Sequence, residues 1–531
     1  MTADDPKSEK WQAEGPIWAL LFAVALGVRL IRLFDLDIWF DEAVIVLQLQ
    51  KSFAEIWNIC KTDNYPPLYL WLMKIWSSAF PGEGSLRLGT ALMGSLTPPA
   101  AYALGKTLLD RRLGWALGIA CVLSPSLIYQ HQMIRMYSLF TFFACLSLVG
   151  FLRALRTNRW QDWILTAAAN LLGFYTFLFM TFLIVAEILV VIWHYRLAFA
   201  KYFRPLVSQM PAILLMLIWA LIAMQRAQQI REDFLLAPFS LVEIGKLWVF
   251  WGTGLDFENQ YWLTLALNLP LLMGVLFALS KIRKYPSWGA AAALLLIPFV
   301  LVSAISLAGQ SIFHKRYFLF LLPIYLALGL AGWFSLSHAV IRRLGIALFL
   351  CILLGSSVFY FVDYYGQHVE YGFIRGFAPD GRDNGRALSQ GAALLKERLE
   401  PDEVIVHFSS SMLRSFSFFP MIWYHGRALP EFIYSVDEVH TYFGGQYLQP
   451  GDRIRSLKDL QPPLAGVWLV SLDSTEIFFD DSTLIARITR SKWLDREDFP
   501  RELAQAGFIR QETIHLGRVT LMHYRRERSL G

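Results

Sequence analysis

Apolar stretches long enough to cross a bilayer recur through the first two thirds of this 531-residue chain, and nothing else limits its fold as strongly. A helix rises 1.5 Å per residue, so roughly 17–25 mainly apolar residues cross the hydrocarbon layer. Hydrophobic residues make up 56% of the chain and charged residues only 17%. A soluble domain carries about 25% charged residues, so this chain has too little polar surface to cover a soluble globule. The sequence predicts a polytopic α-helical membrane protein with about eleven spanning helices. They fall near 16–35, 87–106, 113–130, 137–154, 162–175, 178–195, 206–223, 262–280, 288–308, 317–337 and 344–361. The stretch 66–80 is apolar but short for a span, and reads as a helix at the interface.

Charge sets the expected orientation. Lys and Arg cluster in 106–112, 153–159, 194–204, 281–284 and 338–343, in loops that alternate with 36–86, 131–136, 224–261 and 309–316. The positive-inside rule makes the basic set cytoplasmic. Residues 1–15 are then a cytoplasmic tail, and the loop 36–86 lies outside. The tail lacks the basic start of a signal peptide, so the first apolar run reads as a retained span. The net charge of +6 reflects these loops and is no nucleic-acid signal. Arg29 and Arg32 sit at the outer end of the first span, where they either snorkel to head groups or face an internal cavity. The four cysteines show neither disulfide nor zinc spacing. No N-x-S/T sequon, phosphate loop or dinucleotide fingerprint occurs, and with no retention signal the expected location leans to a bacterial plasma membrane.

The composition changes beyond the last span. Residues 363–386 read as a Gly-, Asp- and Arg-rich linker, and 387–531 as a small α/β domain outside the cytoplasm. A helix over "ALSQGAALLKERL" precedes strands in "PDEVIVHFSS", "GVWLVSLDS" and "RVTLMHYRRE".

Chemistry is expected where charge collects against the topology rule. Asp41 and Glu42 follow the first span in "IWFDEA". They could simply begin a helix, where acids suit the macrodipole, or they could be catalytic. Neighbours on a helix point about 100° apart, so one would act as base while the other holds the loop or binds acceptor or cation. Asp41 is the expected base. "NYPPLYLW" presents Tyr65 in an aromatic cluster, and Arg87 opens the second span. Arg135, in "YQHQMIRMYSLF", starts an apolar helix opposite the basic loops and needs an anionic partner. His131 beside it reads as a plain interfacial histidine. His314, Lys315 and Arg316 repeat the pattern in "SIFHKRYFLFLLP". Arg87, Arg135, Lys315 and Arg316 are candidate phosphate contacts, with Tyr65, Tyr137, His314 and Tyr317 as possible cleft residues. A carboxylate among cations suits attack on a lipid-linked phosphate sugar. The leaving phosphate needs no proton, so one base suffices, whereas a glycosidase usually needs two acids.

With these residues in place, the chain resembles the GT-C superfamily of membrane glycosyltransferases, in its protein O-mannosyltransferase and lipid A aminoarabinose transferase branch. The carrying pieces are Asp41-Glu42, "NYPPLYLWLMKIW", "SLRLGTALMGSLTPPAAYALGKTLL", "YQHQMIRMYSLFTFFACLSLVGFLRAL" and "KRYFLFLLPIYLALGLAG", in that order over about 16–340. The resemblance implies inverting transfer from a polyprenyl-phosphate sugar to a lipid, glycan or protein acceptor outside the cytoplasm. It makes Asp41 the acid of the first loop and places Arg135 and Arg316 among the phosphate contacts. The chain departs from the pattern at Met133-Ile134, where relatives carry an acid, and at Phe177, where many carry His. No cofactor is required by this chemistry, and a divalent cation is possible but not indicated. A lipid-linked glycan flippase would show inverted repeats and broken helices near the midplane, and a non-catalytic envelope scaffold would tolerate loss of Asp41.

Overall fold

A computed structural model describes residues 14–35, 37–62, 65–230, 239–254, 261–309, 311–364, 386–408, 413–436, 448–460, 464–472, 498–517 and 519–526. The tail before residue 14 and the 365–385 part of the expected linker lie outside the described residues.

Helix α1 (Gly15–Leu30) leads into the first loop. That loop carries α2 (Phe40–Leu49), α3 (Phe53–Thr62) and α4 (Leu68–Ala79). A bundle follows: α5 (Glu83–Ser95), α6 (Thr97–Leu108), α7 (Arg111–Leu123), α8 (Pro125–His131), α9 (Tyr137–Thr157), α10 (Trp160–Thr176), α11 (Met180–Tyr195) and α12 (Phe203–Ile230). Then come α13 (Leu241–Trp251), α14 (Tyr261–Ser280), α15 (Pro286–Ala308), α16 (Leu322–Phe334) and α17 (Ala339–Phe359). A 3₁₀ turn, Lys315–Leu321, runs directly into α16. The 66–80 stretch is α4, tucked against α2 and α5 as a helix of 12 residues.

Five helical segments are long and apolar enough to cross a membrane: Tyr137–Thr157, Phe199–Ile222, Pro286–Ala308, Lys315–Phe334 and Ala339–Val362. Counting the bent pair α7–α8 as one span makes six. The chain is an integral membrane protein, but the count of eleven is not reached by this measure among the described residues. Several expected spans are short or broken for identifiable reasons. The 87–106 run divides at Leu96 into α5 and α6, just before Pro98 and Pro99. The 113–130 run bends by 57° at Ser124-Pro125, since proline removes a helix hydrogen bond and crowds the preceding turn. Helices α1 and α11 are apolar but only 16 residues long.

Polar pins cross the bundle. Glu187 of α11 is buried and accepts from Ser147 of α9 and Asn170 of α10, each at 2.6 Å. A carboxyl at membrane depth is tolerated only with such donors. Arg29, fully buried, donates to His131 Nδ1 at 3.1 Å and to the carbonyl of Ala25 at 3.0 Å. Thus Arg29 faces the protein interior, and His131 is no interfacial residue. Gly94 of α5 lets the His131 ring sit against its backbone, where any Cβ would collide.

The C-terminal domain is a six-stranded sheet in the order β3-β2-β1-β4-β6-β5. Its elements are α18 (Ala387–Arg398), β1 (Glu403–His407), α19 (Leu413–His425), β2 (Glu431–Tyr434), β3 (Arg453–Ile454), β4 (Gly466–Leu472), α20 (Asp498–Gln505), β5 (Phe508–Leu516) and β6 (Val519–Arg526). Strands β3, β2, β1 and β4 run parallel, while β6 is antiparallel to β4 and β5. The three expected strands are β1, β4 and β6. The others escaped sequence reading: β2 and β3 are very short, and β5 carries exposed polar residues along most of its length. Helices α18 and α19 pack one face through Leu388, Leu395 and Met421. Helix α20 packs the other through Phe499 and Leu503.

Helix α19 also joins the membrane domain: Phe418, Phe419 and Ile422 belong to its hydrophobic core, and Phe40 meets Phe419 at 5.9 Å between ring centres. Inside the sheet domain, both oxygens of buried Glu431 are bonded, one to His407 and one to His425. Burial alone would raise the Glu431 carboxyl, but the two histidines hold it below the usual carboxylate range. A depressed pKa stabilises the fold above the unfolded value and stops doing so as pH falls through the folded one. Acid unfolding of the sheet domain should therefore include a Glu431 contribution that Glu431→Gln removes. The variant should also lower stability at neutral pH by about 1.5–3 kcal/mol, as for a lost hydrogen bond to a charged group, checked by chemical denaturation across pH.

Candidate active site

Three distant segments converge on Asp41. The residue stands in the first turn of α2, its side chain 17% exposed. Arg316 donates from Nη1 to Asp41 Oδ2 at 3.0 Å, and Arg135 Nη2 lies 3.7 Å from the same oxygen. Arg135 Nη1 also reaches the Asp41 carbonyl at 3.5 Å. Two guanidinium groups thus share one carboxylate oxygen in a largely dehydrated setting, where charge interactions strengthen.

Each cation is held from behind. Arg135 follows the bend after α8 in a segment, 131–140, that is buried throughout. Its Nη2 donates to Tyr65 Oη at 2.8 Å, and its guanidinium lies 5.0 Å from the Tyr65 ring centre and 5.9 Å from that of Tyr137. Arg316 rides on the 3₁₀ turn before α16. His314 caps that turn, its Nδ1 accepting from the Arg316 amide at 3.4 Å. Lys315 is half-buried in the same turn. A 3₁₀ turn is common at a helix start, although seven residues is long for that geometry.

An aromatic box closes the site. Phe177 lies 6.1 Å from Tyr65, 5.8 Å from Tyr137 and 5.4 Å from Tyr317 between ring centres. Phe179 adds contacts to Phe177 at 5.1 Å and to Tyr317 at 4.9 Å. All three candidate tyrosines therefore share one wall with Asp41's arginines. Phe177, noted in sequence only for replacing a histidine, is the centre of that wall. Beside Arg135 a narrow cavity opens between α2 and α4, lined by Val44, Ile45, Leu70 and Met136 together with Tyr65 and Tyr69. Arg135 Nε and Tyr137 Oη are both buried and make no hydrogen bond among the described residues. Unpaired buried polar atoms are costly, so this pair suits a site that receives a polar group.

Two candidates have a different place. Glu42 is fully buried. Its Oε1 accepts from the Ile134 amide at 2.9 Å and its Oε2 from Arg87 at 2.8 Å. Arg87, expected among the phosphate contacts, is 1% exposed and engages Glu42, Glu83 at 3.1 Å and the Asp37 carbonyl at 2.8 Å. The correction has a physical cause: an arginine at a helix start can turn inward to neutralise buried acids as readily as outward to a ligand. The Glu42–Arg87 pair holds the loop that carries Asp41 against the segment that carries Arg135. Among the described residues, no group of three or more His, Cys, Asp or Glu is placed to hold a metal ion.

Residues 64–219 match the family model for dolichyl-phosphate-mannose-protein mannosyltransferases. No curated protein sequence matches the chain. The fold is shared with ArnT from Cupriavidus metallidurans bound to undecaprenyl phosphate, at 14% identity and a TM-score of 0.53 over 96% of this chain and 98% of that one. The apo state of the same protein superposes equally, at 15% identity and a TM-score of 0.53 with the same coverage. The expected GT-C architecture with a C-terminal sheet domain is thus borne out.

Replacing Arg87 by leucine should leave Glu42 buried without its cation and cost about 3–5 kcal/mol. Thermal unfolding of the detergent-solubilised protein checks this. A stability within about 1 kcal/mol of the wild type would mean that Glu42 is not held as a buried anion.

Proposed function

We propose that this protein is an inverting membrane glycosyltransferase. It moves a sugar from a polyprenyl-phosphate donor to a lipid, glycan or protein acceptor on the extracytoplasmic face. The observation that carries this reading is the Asp41 carboxylate shared by Arg135 and Arg316, brought together from the first loop, the α8–α9 bend and the turn before α16. The motif order, the family-model match and the fold shared with a protein that binds undecaprenyl phosphate support it.

The chemistry follows from the geometry. Both arginine contacts fall on Oδ2 of Asp41. Oδ1 is the oxygen that accepts the acceptor's hydroxyl proton as that oxygen attacks the sugar C1. The C1–O bond to phosphate breaks as the new bond forms on the opposite face, which inverts the anomeric centre. The departing phosphate carries its own negative charge and needs no general acid. Arg135 and Arg316 neutralise it as that charge develops. The bonded electron pair stays with the phosphate oxygen. Val44, Ile45, Leu70 and Met136 offer an apolar surface to the first isoprene units of the carrier. Tyr65, Tyr137, Tyr317 and Phe177 suit the sugar, since aromatic faces stack on its C–H groups. The acid and the two cations can supply the charges this step needs, so no cofactor is required for it.

In a bacterial inner membrane the basic loops would lie in the cytoplasm, with the N-terminus. The site and sheet domain would then face the periplasm or cell exterior, where polyprenyl-phosphate sugars can be met without nucleotide donors. A flippase would need passage between two faces and would show inverted repeats, and no such repeat is visible in the sequence.

Transfer should fall by about 10²–10⁴-fold in Asp41→Asn, the range for losing a general base. The assay is label transfer from polyprenyl-phosphate sugar in membranes, with mass spectrometry of envelope lipids and proteins identifying the product. Activity close to the wild type in a correctly inserted variant would remove Asp41 as base. Arg135→Ala should weaken undecaprenyl phosphate binding about 10–100-fold, as expected for one charge-assisted hydrogen bond. The half-saturating acceptor concentration should change little. Equal losses for donor and acceptor would argue against a phosphate contact.

A further inference from the structure

We propose that Tyr424 of the C-terminal domain is a positioning residue for Asp41, so that the sheet domain is a working part of the site as well as a neighbour to it. The inference rests on the glycosyltransferase reading for Asp41's role, and on its own contacts for the rest.

Helix α2 has no cap of its own. Its N-cap is Trp39, whose side chain makes no capping hydrogen bond. The first N–H groups of a helix need partners from outside it, and a helix of 10 residues has little independent stability. The entry to α2 is held from elsewhere. Tyr424 Oη accepts the Ile38 amide at 2.8 Å, and donates to Glu83 Oε2 at 3.3 Å. The Ser389 amide of α18 donates to Asp37 Oδ2 at 2.8 Å. Arg87 closes the remaining side, donating to the Asp37 carbonyl and to Glu42.

These bonds form one chain of contacts. It runs from Tyr424 through Glu83 and Arg87 to Glu42, and from Glu42 Oε1 to the amide of Ile134, the residue before Arg135. Ile38 stands three residues before Asp41, so at most about 11 Å of chain separates them. A shift at Ile38 therefore has little slack in which to dissipate before it reaches the carboxylate. The apolar side of the same joint is the Phe40–Phe419 contact, which places α19 directly on the turn that carries Asp41. Misplacing a catalytic group by about 1 Å can cost 10²-fold in rate. A bond that sets this loop consequently acts on turnover without touching substrate.

The test uses the full chain in nanodiscs, with Tyr424→Phe as the main variant, because it keeps the ring and removes only the hydroxyl. Asp37→Ala is the second variant, cutting the Ser389 link in a different place. Hydrogen–deuterium exchange in peptides covering 37–46 should quicken tenfold or more in both. Peptides from β4 and β6 should stay unchanged, reporting an intact sheet domain. In the label-transfer assay, the rate at saturating donor should fall at least tenfold, while the half-saturating donor concentration stays within twofold. Undecaprenyl phosphate, used as the binding probe, should likewise bind within twofold of the wild type. Unchanged exchange at 37–46 overturns the inference, as does faster exchange with an unaltered saturating rate. Uniform acceleration across the sheet domain also overturns it, since that would reveal a folding role alone. A wild-type protein that transfers nothing would instead defeat the glycosyltransferase reading itself, and the positioning role with it.

Discussion

The buried pair between Glu42 and Arg87 is the constraint on which the rest of the site depends. Neither side chain has more than 2% of its surface exposed, so neither charge can be left to water. Removing two ions from water is expensive, and it is offset only when geometry and extra hydrogen bonds are good. Here Glu42 gains the Ile134 amide, and Arg87 gains Glu83 and the Asp37 carbonyl. Five points on three segments are thereby tied into one arrangement. Asp41 sits beside Glu42 and Arg135 beside Ile134, so the residues that meet in the site are each neighbours of residues locked behind it.

That arrangement separates two acids that look alike in sequence. A helix turns about 100° per residue, so adjacent side chains at the start of α2 face different surroundings. Asp41 meets the arginines at the cleft, partly exposed, while Glu42 is wholly enclosed. One acid lies at the cleft between two arginines and the other is committed to structure. The same division applies to the cations. Arg135 shares the Asp41 carboxylate with Arg316, whereas Arg87 is committed to Glu42, Glu83 and the Asp37 carbonyl.

Hydrophobic packing supplies the precision that the charges need. Phe177 and Phe179 draw Tyr65, Tyr137 and Tyr317 to one wall, and Tyr65 in turn orients Arg135 by hydrogen bond and ring face. The C-terminal domain continues this logic outside the bundle. Its helix α19 lends Phe418, Phe419 and Ile422 to the membrane domain's core, so the joint is apolar at its centre and hydrogen-bonded at its edge.

Much of this was legible along the chain, and for a clear reason. Apolar length, basic loops and charges placed against the topology rule are one-dimensional signals, and they pointed to a membrane bundle, to three strands of the sheet, and to Asp41, Arg135 and Arg316, which the fold brings together. Strand β5 was hidden because its side chains are mostly solvated, and β2 and β3 because a few residues carry no period. Hydropathy does not register the breaks at Leu96 and Ser124, where backbone geometry near proline divides an apolar run. Which arginine meets Asp41 and which pairs with Glu42 could not be read at all, since Arg87 and Arg135 look the same until partners 45 and 94 residues away in sequence arrive beside them. Sequence alone determined that this chain enters a membrane and where its unusual charges lie. Only the tertiary structure decided which of those charges neutralise one another, because pairing depends on distance through space and on the water that packing removes.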